Sequence, residues 1–539
     1  MDVIENLKLN IKEALKTLGL DVSINDIVIE NSKDAAHGDY ASNVALKYAK
    51  QANSNPRDFA NKLVSNISLN DIDHIEIAGP GFINFFMKSD SLTSVISTII
   101  NEDSNYGRGK RNNTKVNVEF VSANPTGALH VGHARGAAIG DSICRILDFA
   151  GYDVTREYYI NDAGNQIDKL ALSLQARYLE LLNLPNKLPE DGYHGEDVKE
   201  VAKKILDIYG DKLVNDPNAI ATFKKEGIRL ELDEINKDLM NYRVKFDVYS
   251  SELVIRSDNA VEKELDYLKD HIYVDDGAKV LKTTDYLDDK DRVIVKSNGD
   301  YTYFLPDICY HVNKLSRGYD KLIDVLGADH HGYINRMKSA LMMHGYNSDV
   351  LEIELIQMVR MMKDGEEFKL SKRTGNGYAL RELCEDAGVD AARYFFAMRA
   401  ASSHLDFDLD LAVKQSSDNP VYYVQYAHAR LCSILEAGKE YEIDTSGKGL
   451  NNEDEMALLK HLREFPNIVN VAANELSPYK ITNYVHDLAE KFHSFYSTSK
   501  VLDKNNIELT KARLGLCLAS KIVISNALNL VGVSSPTHM

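Results

Sequence analysis

No stretch of the 539-residue chain approaches the ~18 uninterrupted apolar residues that a membrane span needs, so no transmembrane helix is expected. Cysteine is sparse: Cys144, Cys309, Cys384, Cys432 and Cys517 lie far apart, with no C-x-x-C pair. An odd number of scattered thiols argues against a disulfide framework and predicts reduced cysteines and no structural zinc. Basic residues are also short, 63 Lys and Arg against 81 Asp and Glu, for a net charge of −18. That balance disfavours nucleic acid as a partner, because neutralising phosphates takes Lys and Arg, but a site needs only a local positive surface. No cleavable leader is expected either. Residues 1–20 carry Asp2, Glu5 and Glu13 among Ile4, Leu7, Ile11, Leu15 and Leu18, the pattern of an amphipathic helix. A cytoplasmic protein is expected.

What is present is the composition of a folded chain, 44% hydrophobic, 27% charged and 11 prolines, too long for a single core. Residues 1 to about 110 open with helix. They then show an alternating run, Ile72 to Met87, broken by Gly79-Pro80-Gly81, which predicts a small α+β module with a sharp turn. From Lys115 the pattern is strand, Pro-Gly loop, helix over Ala134 to Ala150, and strand over Val154 to Ile160. This βαβ unit predicts an α/β, doubly wound parallel-sheet, Rossmann-like domain over about 111–410. Within it, about 168–268 is nearly all helical pattern and reads as an insertion. Strands are expected to resume at Val293 to Val295, Tyr301 to Leu305 and Leu322 to Leu326. Past Asp410 strand signals vanish, and 411–539 reads as an all-α bundle.

The densest stretch is Val118 to Arg135, VEFVSANPTGALHVGHAR. A strand end feeds a glycine-containing loop, and His130-Val131-Gly132-His133 opens a helix. Helix amino termini offer unpaired N–H groups and a positive dipole end, suited to phosphate. Gly132 lets a flat base approach the backbone, and two imidazoles three apart can donate to phosphate oxygens. Taken alone, H-x-x-H is equally a metal-ligand pair or two surface histidines. With no H-E-x-x-H and no third ligand in view, metal is the weaker alternative.

Far downstream comes Lys369-Leu370-Ser371-Lys372-Arg373. Lys369 to Arg381 holds four basic residues and no acidic one, inside an acidic protein. An isolated K-x-S-K is an ordinary solvated loop. Following H-V-G-H on an α/β frame, two lysines three apart suit the β- and γ-phosphates of a nucleotide.

Together the two stretches resemble the H-I-G-H and K-M-S-K-S signatures of class I aminoacyl-tRNA synthetases, with Val131, Leu370 and Arg373 as departures. The flanks narrow the resemblance. VEFVSANPTGALHVGHARGAAIGD, YYINDAGNQI, YFLPDICYH, GADHHGY, DAARYFFAMR, GPGFINF and NPVYYVQYAHAR are all similar to arginyl-tRNA synthetases, and they touch all three segments. The resemblance implies ATP with Mg2+, L-arginine and tRNA(Arg) as partners, and a monomer with no membrane association. It implies His130, Gly132, His133, Lys369, Leu370, Ser371 and Lys372 at the nucleotide, with the two histidines and two lysines catalytic. Glu119, Tyr303 and Asp307 would hold the guanidinium, Ser122 and Asn124 would lie nearer the α-amino group, and Asp329 stands where some relatives have Gln. Phe82 and Asn84 would contact tRNA, and the carboxy-terminal bundle would bind the anticodon. A small-molecule nucleotidyltransferase and a non-catalytic tRNA-binding relative are the competing readings. The second lysine stretch argues against the first, and the intact nucleotide motifs argue against the other.

Overall fold

The computed structural model describes residues 3–32, 37–69, 71–88, 92–256, 259–368 and 378–539. The chain divides into two compact units. One comprises Met1–Glu102, Ile434–Arg463 and Ser494–Ala519; the other comprises Asp103–Ser433, Glu464–His493 and Ser520–Met539.

In the first unit, strands β1 (Glu30–Asn31), β2 (Tyr40–Ser42), β3 (Ile72–Ala78) and β4 (Phe82–Met87) form an antiparallel sheet ordered β1-β2-β4-β3. The amino-terminal helix Val3–Thr17 buries Leu7, Ile11 and Leu15, the face its i, i+4, i+8 spacing predicts. Helix Pro56–Val64 begins where Asn55 accepts a hydrogen bond from the Asp58 N–H at 2.8 Å, with proline at its first position. The hairpin between β3 and β4 turns at Gly79 and Gly81. At Gly81, φ is +142° and an added Cβ would lie 2.8 Å from the Pro56 carbonyl oxygen, so glycine is required there.

The second unit holds β5 (Lys115–Glu119), β6 (Asp153–Ile160) and β7 (Val248–Ser251), then the antiparallel trio β8 (Ile272–Asp275), β9 (Ala278–Leu281) and β10 (Arg292–Val295). These are followed by β11 (Lys321–Gly327), β12 (Leu351–Ile356), β13 (Val359–Lys363), β14 (Glu366–Glu367) and β15 (Leu405–Asp408). Five of them make a wholly parallel sheet ordered β12-β11-β5-β6-β7. The chain winds outward from β5 through β6 to β7, then returns to add β11 and β12 on the other side. The switch point lies between β5 and β11, where ligands bind beyond the carboxyl ends of the strands in such sheets. Helix Val131–Phe149 links β5 to β6, and Gly140 lets it close on Phe120, whose ring carbon lies 2.4 Å from where a Cβ would sit.

Helices Asn165–Leu181, Glu196–Tyr209 and Ala219–Asn241 lie between β6 and β7 and share a core of Leu170, Leu174, Tyr178, Val201, Ile205 and Phe223. Two expectations need correction. The strand β7 falls inside the stretch expected to be helical, because four residues are too few to display a period of their own. Tyr301 to Leu305 is not a strand: helix Phe304–Ser316 starts there, with Pro306 in its first turn, where the missing N–H costs nothing. After β15 every long element among the described residues is a helix: Pro420–Ala437, Glu453–Asn474, Tyr479–Thr498 and Ile507–Leu530.

Candidate active site

β5 is the central strand, and Val116 to Glu119 are all buried. Just beyond it Val121 and Ser122 take left-handed backbone angles, φ +67° and +38°. For a β-branched residue such a conformation is strained by roughly 1–3 kcal/mol and persists only where the surroundings enforce it. Here the turn aims the Ser122 hydroxyl at two groups. It donates to Glu119 Oε1 at 3.0 Å and accepts the Tyr159 N–H at 3.0 Å. Asn124 is likewise pinned, accepting from Asn161 Nδ2 at 2.9 Å and donating to Gln166 at 2.6 Å. The end of β6 therefore fixes the turn that ends β5.

Beneath the turn lies a buried chain of charge that sequence reasoning missed. Lys314, fully buried, places its ammonium 2.5 Å from Glu119 Oε2 and 3.0 Å from Asp324 Oδ1, over the Tyr310 ring at 4.4 Å. His311 bonds Asp324 through Nε2 and the Asp307 carbonyl through Nδ1, each at 2.7 Å. Both acceptors are oxygens that carry no hydrogen, so both ring nitrogens donate and the imidazole is charged. Burial opposes the charge on both; at Lys314 it is outweighed by Asp324, Glu119 and Glu157 together, and at His311 chiefly by the charge and hydrogen bond of Asp324, so both pKa values are raised. Burial likewise opposes ionisation of Asp324, and Lys314 and His311 together hold it well below the usual carboxylate range. Glu119 and Asp324 are thus balanced by Lys314 and His311. Asp307 is left over. Burial first, with Glu119 adding, pushes its pKa up to about 7, while His311 opposes. Arg336 opposes the rise as well, but among the described residues Asp307 makes no ion pair.

The cavity above these groups has a volume of about 980 Å³ and is lined by Glu119, Ser122, Asn124, Asp307 and Asp329, together with His130, Gly132 and His133. The two histidines cap their helix reciprocally. His130 Nδ1 accepts the Gly132 N–H at 3.1 Å, and His133 Nδ1 accepts the His130 N–H at 3.3 Å. Accepting at Nδ1 puts the proton on Nε2, leaving each ring a donor to offer outward. Their rings stack with centroids 3.8 Å apart. Burial lowers the pKa of both, and that of His133 falls to about 3 with His130 contributing. Both are neutral at pH 7. At Gly132 an added Cβ would lie 3.0 Å from the His130 ring, so any side chain there would disturb the stack.

Lys369, Leu370, Ser371 and Lys372 lie outside the described residues, but both flanks of their segment are placed. The Phe368 N–H donates to the Met361 carbonyl at 3.0 Å, the Val131 N–H to the Tyr378 carbonyl at 2.8 Å, and the Leu380 N–H to the Leu129 carbonyl at 2.7 Å. Phe368 and Tyr378 meet edge to face, with centroids 5.4 Å apart, and line a second cavity of about 900 Å³ with His130, Val131, Arg360 and His404. Phe368 and Tyr378, the described flanks, thus both lie beside the H-V-G-H turn.

Two expected residues are placed otherwise. Tyr303 is 84% exposed ahead of helix Phe304–Ser316 and does not line the cavity; Tyr310, two turns on, does. Asn84 is 3% exposed, in β4 between β2 and β3, which leaves its side chain little surface for an external contact. Phe82, at the head of β4, is 43% exposed. The missed His311 and Lys314 had a signal: with Asp307 they fall on one helical face, visible only once the segment is read as helix.

Comparison with known proteins agrees along the whole chain. Residues 5–87 match the family model described as the arginyl-tRNA synthetase N-terminal domain. Residues 95–401 match the catalytic domain of class I (R) tRNA synthetases, and residues 424–539 the DALR anticodon binding domain. The arginine–tRNA ligase of Bacillus subtilis is 48% identical over 556 residues, and arginine–tRNA ligase 1 of Halalkalibacterium halodurans 50% identical over 560. Each alignment covers all of both chains. The Thermus thermophilus arginyl-tRNA synthetase structure superposes with a TM-score of 0.79 over both full chains at 22% identity, a likeness of fold. With a Rossmann-like sheet, a reciprocal histidine cap and relatives that match it end to end, the chain belongs to the arginyl-tRNA synthetases.

Proposed function

We propose that this chain joins L-arginine to tRNA(Arg) at the expense of ATP, and that the cavity at the carboxyl ends of β5 and β11 is where arginine is activated. The observation that carries the reading is the charge count. Four buried groups cancel, and Asp307 remains beside Glu119 as an acceptor for one cationic side chain. A guanidinium is a planar fork of donors that matches carboxylate geometry. Its arrival would restore Asp307 to the ionised form.

In the first step the arginine carboxylate attacks the α-phosphorus of ATP, and pyrophosphate leaves. In the second a terminal ribose hydroxyl of the tRNA attacks the activated carbonyl, and AMP leaves. No side chain becomes covalently attached. His130 and His133, each with its proton on Nε2, stabilise developing charge on the phosphates. Lys369 and Lys372 are assigned to the departing pyrophosphate. Magnesium enters with the nucleotide, held by its phosphates. Among the described residues the one tight group of metal-competent side chains, His486, Asp487 and Glu490, sits on helix Tyr479–Thr498, not at this cavity. Lys372→Ala is expected to lower kcat about 10²–10³-fold with KM for arginine and ATP little changed, the signature of a group that meets charge mainly in the transition state. Steady-state exchange kinetics check this, and an unaltered kcat would remove the segment from catalysis.

For tRNA we assign residues 1–110 to an RNA-contacting module, 111–410 to catalysis with its insertion over about 168–268, and 411–539 to the anticodon. A monomer is the working unit. No helix among the described residues is long and apolar enough to cross a membrane. Phe82 is the contact the exposed head of β4 supports. Phe82→Ala should raise KM for tRNA by the equivalent of roughly 1–3 kcal/mol, the loss of one stacked base. Because Phe82 is 43% exposed, the melting temperature should barely move. Early melting with normal charging would return Phe82 to a packing role.

A further inference from the structure

The helical insertion has no part in the reaction as described, yet it lines a cavity of about 220 Å³ together with Gly127, Ala128, Ala379 and Arg381. Helix Glu196–Tyr209 contributes Asp197 and Glu200, and helix Ala219–Asn241 contributes Glu231, Glu234 and Asp238. Most of these carboxylates are engaged. Asp197 accepts the Ala128 N–H at 3.3 Å, Glu234 accepts from Lys204 at 2.6 Å, and Asp238 accepts from Arg381 at 3.1 Å. Glu231 is different. It is 3% exposed, and its Oε1 is buried with no hydrogen-bond partner. A buried carboxylate without a partner is costly unless it is protonated or meets a cation.

The geometry tells which kind of cation. A metal ion needs several ligand atoms converging on one point, and among the described residues this cavity supplies no such group. Its acids are spread instead. Glu231 and Asp238 stand seven residues, about 10 Å, apart along one helix. Ile235, between them on that helix, and Val201, on helix Glu196–Tyr209, add apolar side chains to the lining. Separated carboxylates with hydrocarbon between them complement amines separated by methylenes. We propose that this cavity binds a small aliphatic polyamine, with one ammonium against Glu231 and the alkyl chain over Val201 and Ile235.

The position gives such binding a consequence. Gly127 and Ala128, on the loop leading to His130, form one wall, and Ala379, which pairs with His130, forms another. Arg381, just beyond, is anchored on Asp238. A bound amine would tie the insertion to the loop before His130 and to the segment at Ala379 and Arg381 at once. Burial first, and then Asp197, push the Glu231 pKa up to about 8, so at pH 7 an arriving ammonium should displace its proton.

The test is calorimetric titration of the full chain with spermidine at about pH 7, without tRNA or ATP, since both bind amines. Two buffers of different ionisation enthalpy report the proton. The expected result is one saturable site per chain, proton release on binding, and affinity weakened about tenfold or more in Glu231→Gln. Glutamine mimics the protonated acid, so that variant should fold and melt as the parent does. Glu436→Gln, a change at a side chain 73% exposed, should bind normally. MgCl2 at matched ionic strength should not displace the amine. Absence of saturable binding, unchanged affinity in Glu231→Gln, or displacement by magnesium would each overturn the assignment.

Discussion

Asp307→Asn and Glu119→Gln are each expected to reduce kcat/KM for arginine severely while leaving ATP affinity nearly unchanged. Both carboxylates line the cavity, and burial leaves Asp307 ready to be ionised by an arriving cation. Lysine brings a single compact ammonium, so it would leave acceptors unfilled where arginine fills them. Sites built to hydrogen-bond a substrate group reject analogues lacking it by about 10⁴-fold or more, because the buried polar groups are left unpaired. Discrimination on that scale requires no editing domain. Canavanine, which keeps the guanidinium fork, should remain a substrate. A pH dependence follows with a definite sign. Asp307 has its pKa raised to about 7, so below that it is protonated and neutral and cannot pair with a guanidinium. kcat/KM for arginine should therefore rise with pH up to about 7 and then level off, and Asp307→Asn should lose that rise. If both variants charge arginine normally, the specificity pocket lies elsewhere.

The second large effect is on stability. Lys314→Met keeps the bulk of a fully buried side chain and removes its charge, leaving Glu119 and Asp324 facing each other without their shared cation. Breaking a buried ion pair from one side costs about 3–5 kcal/mol. Urea denaturation should register a loss of that size in the parent unit's transition; a loss below ~1 kcal/mol would mean the network relaxes freely. The wild-type network also carries an acid signature. Asp324 is held below its ordinary 3.8, so its contribution is complete above that pH and is lost as pH falls further toward its folded-state value.

Much of this was legible in the sequence, for identifiable reasons. The turn from Glu119 to His133 announces itself because a strand end, a Pro-Gly loop and a helix start each have their own residue preferences, all packed into one short stretch. The Lys314 network was hidden because the stretch after the strand expected over Tyr301 to Leu305 was assigned no helix, and Asp307, His311 and Lys314 share a face only on helix Phe304–Ser316. Pro306 was compatible with either reading, since the first turn of a helix tolerates it. β7 escaped notice as four residues inside a long helical pattern. Asn84 misled for another reason: β4 lies between β2 and β3, and Ile83, Asn84 and Phe85 are all buried, so alternation does not sort its faces.

The central claim is tested most directly by ATP–pyrophosphate exchange with the purified chain, run with each amino acid in turn, with and without tRNA(Arg). The account predicts exchange with arginine and not with lysine when tRNA(Arg) is present. Exchange driven by another amino acid, or none with arginine and tRNA both present, would contradict it.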